Sequence, residues 1–288
     1  MPEGHVTHRL AGGLIERFAG RRVRVSSPQG RFADGARLVD GTTLEHAESV
    51  GKHLLIDFEA GRTIWIHLGL IGKLRFVPDE PAPSPQTLRL RIAQAGQAAD
   101  LRGPQWCRLI PPDERAVVIA RSGPDPLRAD ADPERAWRKV HASSRPIGVL
   151  LMDQSAFAGV GNIFRAEVLF RCGIAPTLPA NQLPRAAFDV VWADLVAMMG
   201  YARVTGRIDT VSAEHLPEAM GRPARDDPHG GEVYVYRRAG LPCLVCGTEV
   251  ATSALAGRNL YWCPRCQRRG TTLVVPAPIP VPPAHAAS

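Results

Sequence analysis

VYRRAGLPCLVCGTEVATSALAGRNLYWCPRCQ, residues 235–267, contains two Cys-x2-Cys pairs, Cys243/Cys246 and Cys263/Cys266, separated by sixteen residues. Two-residue gaps let each pair turn both sulfurs toward one ion, and the intervening stretch folds back as a β-hairpin. Four thiolates leave no position for water or substrate. The expected cofactor is therefore one structural Zn2+ held by Cys243, Cys246, Cys263 and Cys266. Around the pairs, Arg237, Arg238, Arg258, Arg265, Arg268 and Arg269 stand against a single acid, Glu249. A zinc-pinned basic hairpin suits a phosphate backbone or a groove. Zinc ribbons also bind protein and RNA, so by itself the module points to nucleic acid and no further.

Upstream, residues 205–232 are rich in Gly, Pro and Asp and read as a long mobile loop. From Glu134 to about Val204 the pattern is helical, with Phe188, Val191, Trp192, Leu195, Met198 and Met199 forming a core-facing stripe. A Pro/Asp-rich stretch, 123–133, reads as a hinge between this helical part and a strand-rich part from Arg21 to about Leu109. In the latter, His53–Phe58 and Thr63–Leu68 flank Glu59-Ala60-Gly61-Arg62 as a hairpin, and Leu88–Ile92 alternates apolar with Arg, with one buried and one wet face expected. Pro78–Gln86 reads as a surface loop. Val6, Leu10, Leu14 and Phe18 recur every four residues, an amphipathic helix starting almost at the N-terminus. Five prolines in the eight residues from Pro276 mark a disordered tail. The expected domains are 1–122, a β-rich unit; the 123–133 linker; 134–232, helical; 233–270, the zinc finger; and the 271–288 tail.

The chain has 288 residues and a formal net charge of +7, and 45% of its residues are hydrophobic, which favours folded domains and an acidic partner. No apolar run approaches the ~20 residues that span a bilayer, so no membrane partner is expected. The start, MPEGHVTHRL, has neither signal-peptide nor transit-peptide character. Six cysteines, four of them in the paired module, suit metal in a reducing compartment. A cytoplasmic location is expected. Only Lys52, Lys73 and Lys139 are lysine, against 32 arginines.

Met1-Pro2-Glu3 adds chemistry. Methionine aminopeptidase normally removes Met1 before proline, leaving a secondary amine as the terminus. An α-amino group has a pKa near 7.7–8.0, and a following helix N-terminus disfavours the ammonium, so a useful fraction is neutral. Condensation with an aldehyde then gives an iminium, an electron sink for elimination. Glu3 is placed to act as the paired acid. Taken alone, Pro-Glu at a helix start is ordinary capping. It gains weight only in combination with other pieces of the chain.

Four such pieces occur in order: MPEGH; VGKHL (50–54) leading into a hairpin and HLGL (67–70); AGVGNIFRAEVLF (158–170); and the cysteine module. Together they resemble the formamidopyrimidine-DNA glycosylase/endonuclease VIII family of base-excision repair enzymes, over about residues 1–270. The resemblance implies an α+β multidomain fold. An N-terminal β-sandwich flanked by helices would precede a C-terminal helical domain with a helix-two-turn-helix motif and a β-hairpin zinc finger. It implies that Pro2 attacks C1′ of the damaged nucleotide and that Glu3 protonates sugar or base. Lys52 would contact phosphate and support β-elimination, and Arg258 would grip phosphate and support δ-elimination. In AGVGN, Asn162 stands where a helix 163–172 begins, an anion site that also fits an N-cap. Arg121 matches a DNA-contacting arginine of the endonuclease VIII branch. His5, His8 and His67 are expected to be structural.

The family's oxidised-purine branch fills the space left by a flipped base with Met after HLG and an Arg/Phe pair on a later loop. Here Leu70 follows HLG and the later loop reads DLRGPQWC (100–107). The pattern is closer to the endonuclease VIII-like branch, which favours oxidised pyrimidines, with Leu70 and Ile71 as the wedge. The expected activity is a bifunctional DNA glycosylase/AP lyase acting on damaged DNA as a monomer, with no small-molecule cofactor. A catalytically silent zinc-finger DNA-binding protein and an AP lyase with little base excision are the alternatives. Substrate rank, opposite-base preference and the extent of δ-elimination stay open.

Overall fold

The computed structural model describes residues 2–80, 85–227, 231–268 and 274–280. Met1, Arg269, part of the Pro78–Gln86 loop and most of the Pro-rich tail lie outside them. The chain divides into two compact units, Met1–Ser122 and Gly123–Ser288.

In the first unit, helix α1 (Gly4–Phe18) is followed by strands β1 (Arg21–Arg22) and β2 (Arg24–Ser26), then helix α2 (Ala33–Val39). Strands β3 (Thr43–Val50), β4 (His53–Phe58), β5 (Arg62–His67), β6 (Lys73–Pro78), β7 (Leu88–Gln94), β8 (Gln97–Arg102) and β9 (Trp106–Ile110) lead to helix α3 (Pro112–Arg121). Two antiparallel sheets result, ordered β1-β3-β4-β5-β9 and β2-β7-β8-β6. Leu54, Ile56, Ile64 and Ile66 of one sheet share a core with Leu90, Ile92 and Leu101 of the other and with Leu14 and Phe18 of α1. Each such side chain contributes about 1.5–3 kcal/mol by leaving water. Leu55 and Ile110 point the other way, onto Val118 of α3, so the first sheet is covered on both faces. This explains the apolar run Leu54–Ile56 within β4.

The Leu88–Ile92 alternation does not leave one face wet. Arg91 is buried, because its Nη1 donates to Asp100 Oδ1 at 2.6 Å. A buried charge is tolerated when it is paired and hydrogen-bonded.

The second unit contains α4 (Pro133–His141), α5 (Ile147–Leu150), α6 (Asn162–Arg171), α7 (Arg185–Thr205), α8 (Pro217–Met220) and the hairpin β10 (Ala251–Leu255)–β11 (Arg258–Trp262). Phe157, Phe164, Phe188, Leu195, Met198 and Met199 form its core. Three expectations change here. Residues 123–126 are buried rather than a free hinge, with Gly123 N–H donating to the Gln154 carbonyl at 2.9 Å. A Cβ on Gly123 would sit 2.6 Å from the Ser155 carbonyl oxygen, so only glycine fits.

The 205–232 segment is not a loose loop in its described part. Thr210 Oγ1 donates to Glu167 Oε2 at 2.6 Å, and Thr210 N–H donates to the Glu232 carbonyl at 2.8 Å. Within the Pro-rich tail, residues 274–280 dock on the unit. Ala277 O accepts from Arg171 Nη2 at 2.8 Å, and Ile279 packs on the core. Buried polar anchors supply what composition hides.

Candidate active site and phosphate-binding elements

Glu3 is the N-cap residue of α1, buried at 2% exposure, and its side chain makes no capping bond to the helix. The cap is backbone only, with Val6 N–H donating to Glu3 O at 3.0 Å. One turn on, the buried Thr7 hydroxyl lies 2.8 Å from Gly51 O and 2.9 Å from Gly4 O, and accepts from Ser49 Oγ at 2.8 Å. Gly51 and Lys52 form the two-residue turn between β3 and β4, with Val50 opposite His53 and Gly51 at φ 61°. Such hairpin turns need positive φ at their first central residue, which glycine takes without strain. Lys52 thus sits on a rigid turn held against the first turn of the helix that follows Pro2 and Glu3.

Behind Lys52 lies a cluster that sequence reasoning missed. His53 and His67 are register partners on β4 and β5, and their rings stand with Trp65 and Trp106. Trp65 Nε1 donates to His53 Nδ1 at 3.1 Å, and Gly69 N–H donates to His67 Nδ1 at 3.1 Å. Both imidazoles therefore accept at Nδ1, which suits the neutral ring. Burial lowers the His53 pKa to about 4, with His67 and Lys52 adding to the effect; burial and then Lys52 lower that of His67. The available signal was the hairpin itself, since pairing outward from Glu59–Gly61 brings the two histidines opposite each other.

After His67 the chain makes a tight turn closed by Gly72 N–H to Leu68 O at 3.0 Å. A Cβ at Gly72 would fall 2.2 Å from that oxygen. The turn holds Leu70 and Ile71 in solvent, 65% and 78% exposed. Arg121 is the exposed last residue of α3.

In the second unit Asn162 is the first residue of α6, and Gly161, not Asn162, is the N-cap. The amide is thereby free for longer contacts: Asn162 Nδ2 donates to Asn259 O at 2.9 Å, and Oδ1 accepts from Arg165. Arg165 Nη2 also donates to Asn259 O, at 3.0 Å. Asn259 follows Arg258, the exposed first residue of β11 beside the Ala256–Gly257 turn, so the start of α6 and the hairpin tip are joined. Glu167, fully buried on the same helix, accepts from the N–H groups of Tyr234, Val235 and Tyr236 at 2.7, 2.9 and 2.8 Å. It anchors the chain entering the finger.

The sulfurs of Cys243, Cys246, Cys263 and Cys266 all lie within 4.8 Å of one another. Tetrahedral Zn–S bonds of about 2.3 Å need sulfurs ~3.8 Å apart, so the four fit a zinc ion. Pro2, Glu3, Lys52, Leu70 and Arg121 thus belong to the first unit, and Asn162, Arg258 and the four cysteines to the second.

Three family models match this chain: the formamidopyrimidine-DNA glycosylase N-terminal domain over 1–105, its H2TH domain over 122–212, and the zinc finger found in FPG and IleRS over 240–269. Endonuclease 8 1 of Mycobacterium tuberculosis is 46% identical over 275 residues, covering 93% of this chain and 100% of the relative. The formamidopyrimidine-DNA glycosylase of Parasynechococcus marenigrum is 33% identical, covering 90% and 94%. In fold, the chain is similar to Lactococcus lactis Fpg in complex with abasic-site DNA, with a TM-score of 0.75, 23% identity and coverage of 93% and 100%.

Proposed function

The chain belongs to the formamidopyrimidine-DNA glycosylase/endonuclease 8 family, and from that premise we propose how its residues divide the work of a base-excision DNA glycosylase and AP lyase. Damaged DNA is its partner. The secondary amine of Pro2, freed by loss of Met1, attacks C1′ of the damaged nucleotide as the base departs with a proton. Glu3 supplies that proton and assists sugar-ring opening. A C2′ proton then passes to solvent water, the iminium takes up the electron pair left behind, and the 3′-phosphate departs with the electrons of the C3′–O bond. Lys52 holds phosphate and assists this β-elimination; Arg258 does the same for δ-elimination. Asn162 and the start of α6 hold a backbone phosphate, Leu70 fills the gap left by the flipped base, and Arg121 adds a phosphate contact. Zinc, when bound by the four cysteines, supplies structure alone, because no coordination position is left open.

The observation that carries the assignment is the Thr7–Gly51 hydrogen bond at 2.8 Å, which fastens the turn bearing Lys52 to the helix that begins at the proposed nucleophile. Leu70 after His67-Leu68-Gly69, the lack of an Arg/Phe pair in 100–107 and the 46% identical endonuclease 8 relative support oxidised pyrimidines as preferred substrates. The proposed working form is a monomer in the bacterial cytoplasm; among the described residues no helix is long and apolar enough to cross a membrane.

Borohydride trapping on duplexes carrying an abasic site or thymine glycol tests the reading. Wild type should give a covalent adduct on both, and Pro2→Gly, which trades the secondary amine for a primary one, none on thymine glycol. Glu3→Gln should lose base excision while still binding DNA. Wild-type trapping on the abasic site alone would reduce the activity to a lyase, and excision of 8-oxoguanine exceeding thymine glycol would overturn the substrate preference.

A further inference from the structure

Strand β6 runs out of the turn that exposes Leu70 and Ile71. Its Phe76 faces inward, with the Arg17 guanidinium 4.5 Å from the ring centroid. Strand alternation therefore turns Lys73, Arg75 and Val77 to the opposite, outer face. There, with Ile71 and Gly103 at one end and Pro78 and Glu80 at the other, they wall a cavity of about 650 Å³. Of the two acids that line it, Glu80 and Asp100, the latter is committed to another arginine. Asp100 Oδ1 accepts from Arg91 at 2.6 Å, and Asp79, just beyond, pairs with Arg91 and Arg24. Among the described residues neither Lys73 nor Arg75 has an ion-pair partner, and β6 is the edge of its sheet.

We propose that this outer stripe of β6, Lys73 and Arg75 with Ile71 at its head, is a track for the DNA phosphate backbone beyond the lesion. The proposal rests on the reading of the chain as a DNA glycosylase, though on none of the catalytic assignments. Two cations on one strand face stand ~6.8 Å apart in a row. A row suits a linear polyanion whose charges recur every ~3.4 Å of axis on each strand; a single compact anion would need the cations to converge. An extended acidic peptide is the other linear polyanion. DNA is favoured because the stripe is continuous with the exposed Leu70–Ile71 turn, so a duplex opened there passes next over Lys73 and Arg75.

The test is equilibrium binding of the full chain to a duplex of about 25 base pairs containing an abasic-site analogue, from 50 to 200 mM salt. Lys73→Ala/Arg75→Ala should weaken binding about tenfold at the low end and reduce the log–log salt slope by about 2, at ~0.9 per phosphate contact. The charge-keeping exchange Lys73→Arg/Arg75→Lys should restore the slope. An unchanged slope in the alanine variant overturns the track. Loss of poly-glutamate binding with the slope unchanged overturns it in favour of an acidic peptide. Wild type that traps on abasic DNA while the slope stays fixed removes only this inference; wild type that never traps removes the enzymatic reading instead.

Discussion

Thr7 Oγ1 lies 2.8 Å from the carbonyl oxygen of Gly51, so one buried hydroxyl joins the helix after Pro2 and Glu3 to the turn that presents Lys52. Valine has the shape of threonine without the hydroxyl. In Thr7→Val, the Thr7 hydroxyl's bonds to Gly51 O and Ser49 Oγ are lost at a buried site while Ser49 Oγ keeps its longer contact to Gly51 O at 3.3 Å, a cost of about 1 kcal/mol. The melting temperature should fall, and β-elimination on abasic DNA should slow about tenfold as the Lys52 turn loosens, since misplacing a catalytic group by ~1 Å costs up to 100-fold. Thr7→Ser keeps the hydroxyl and should recover most of the rate. Equal loss in both variants would show that packing, and not this bond, sets the geometry.

Lys52 is one of three lysines against 32 arginines. Arginine keeps the charge for phosphate but effectively cannot give up its proton, whereas a partly buried lysine can. Lys52→Arg should therefore bind abasic DNA within about threefold of wild type, as a retained phosphate contact implies, and trap with borohydride. Strand cleavage should be much slower. Single-turnover gels that separate trapped adduct from cleaved strand measure both. Wild-type cleavage would leave Lys52 with a phosphate role only.

The strands of the first unit and the long helix of the second could be read from periodicity, because Leu54–Ile56 and Phe188–Met199 are placed by local apolar pattern. The cysteine spacing likewise anticipated four sulfurs within 4.8 Å. What escaped was long-range polar pairing. Nothing near Arg91 announces Asp100, and nothing in 205–236 announces that Glu167 collects its backbone N–H groups. Composition there resembles a loose loop, and only the buried carboxylate makes it ordered. The Thr7–Ser49–Gly51 chain escaped for the same reason, since Thr7 lies more than 40 residues from both of its partners.

His53 supplies a pH dependence with a definite sign. Its folded pKa, pushed down to about 4 chiefly by burial and then by His67 and Lys52, lies below the ordinary 6.5. Between those values the unfolded chain binds the proton and the folded chain does not. Stability is therefore complete above about pH 6.5, falls as pH drops toward 4, and levels off below. The difference corresponds to at most about 3 kcal/mol. Denaturant melts from pH 7 to 4.5 should show this loss. His53→Gln, which keeps an acceptor for Trp65 Nε1, should flatten it measurably. Identical slopes would place the acid sensitivity elsewhere.

Glu167 accepts three backbone N–H groups and the Thr210 hydroxyl in a fully buried site. Glu167→Gln replaces one accepting oxygen with a donor that faces other donors. The expected loss is about 3–5 kcal/mol in the second unit, the scale for breaking a buried charged network. Hydrogen exchange at Tyr234–Tyr236 should accelerate strongly while exchange in β4 and β5 stays at wild-type levels. Unchanged protection at Tyr234–Tyr236 would show that the finger entry is held by something other than this carboxylate.

Zinc should control DNA binding through the hairpin. Four thiolates around a structural zinc contribute about 10–16 kcal/mol of apparent binding energy, and that energy is spent on folding. The β10–β11 hairpin has few buried residues of its own, Leu260 being the buried one within the strands, so chelation should melt it. Asn162 and Arg165 then lose the Asn259 carbonyl that ties α6 to the tip beside Arg258. Stripping the metal, or Cys246→Ser, should cost at least tenfold in affinity for abasic-analogue DNA, about 1.4 kcal/mol or more. Re-added Zn2+ should restore the stripped wild type. The first-unit core, monitored by Trp65 and Trp106 fluorescence after substitution of the other tryptophans, should stay folded throughout. Full DNA affinity with the metal gone would mean that Arg258 is held by the hairpin without its ion.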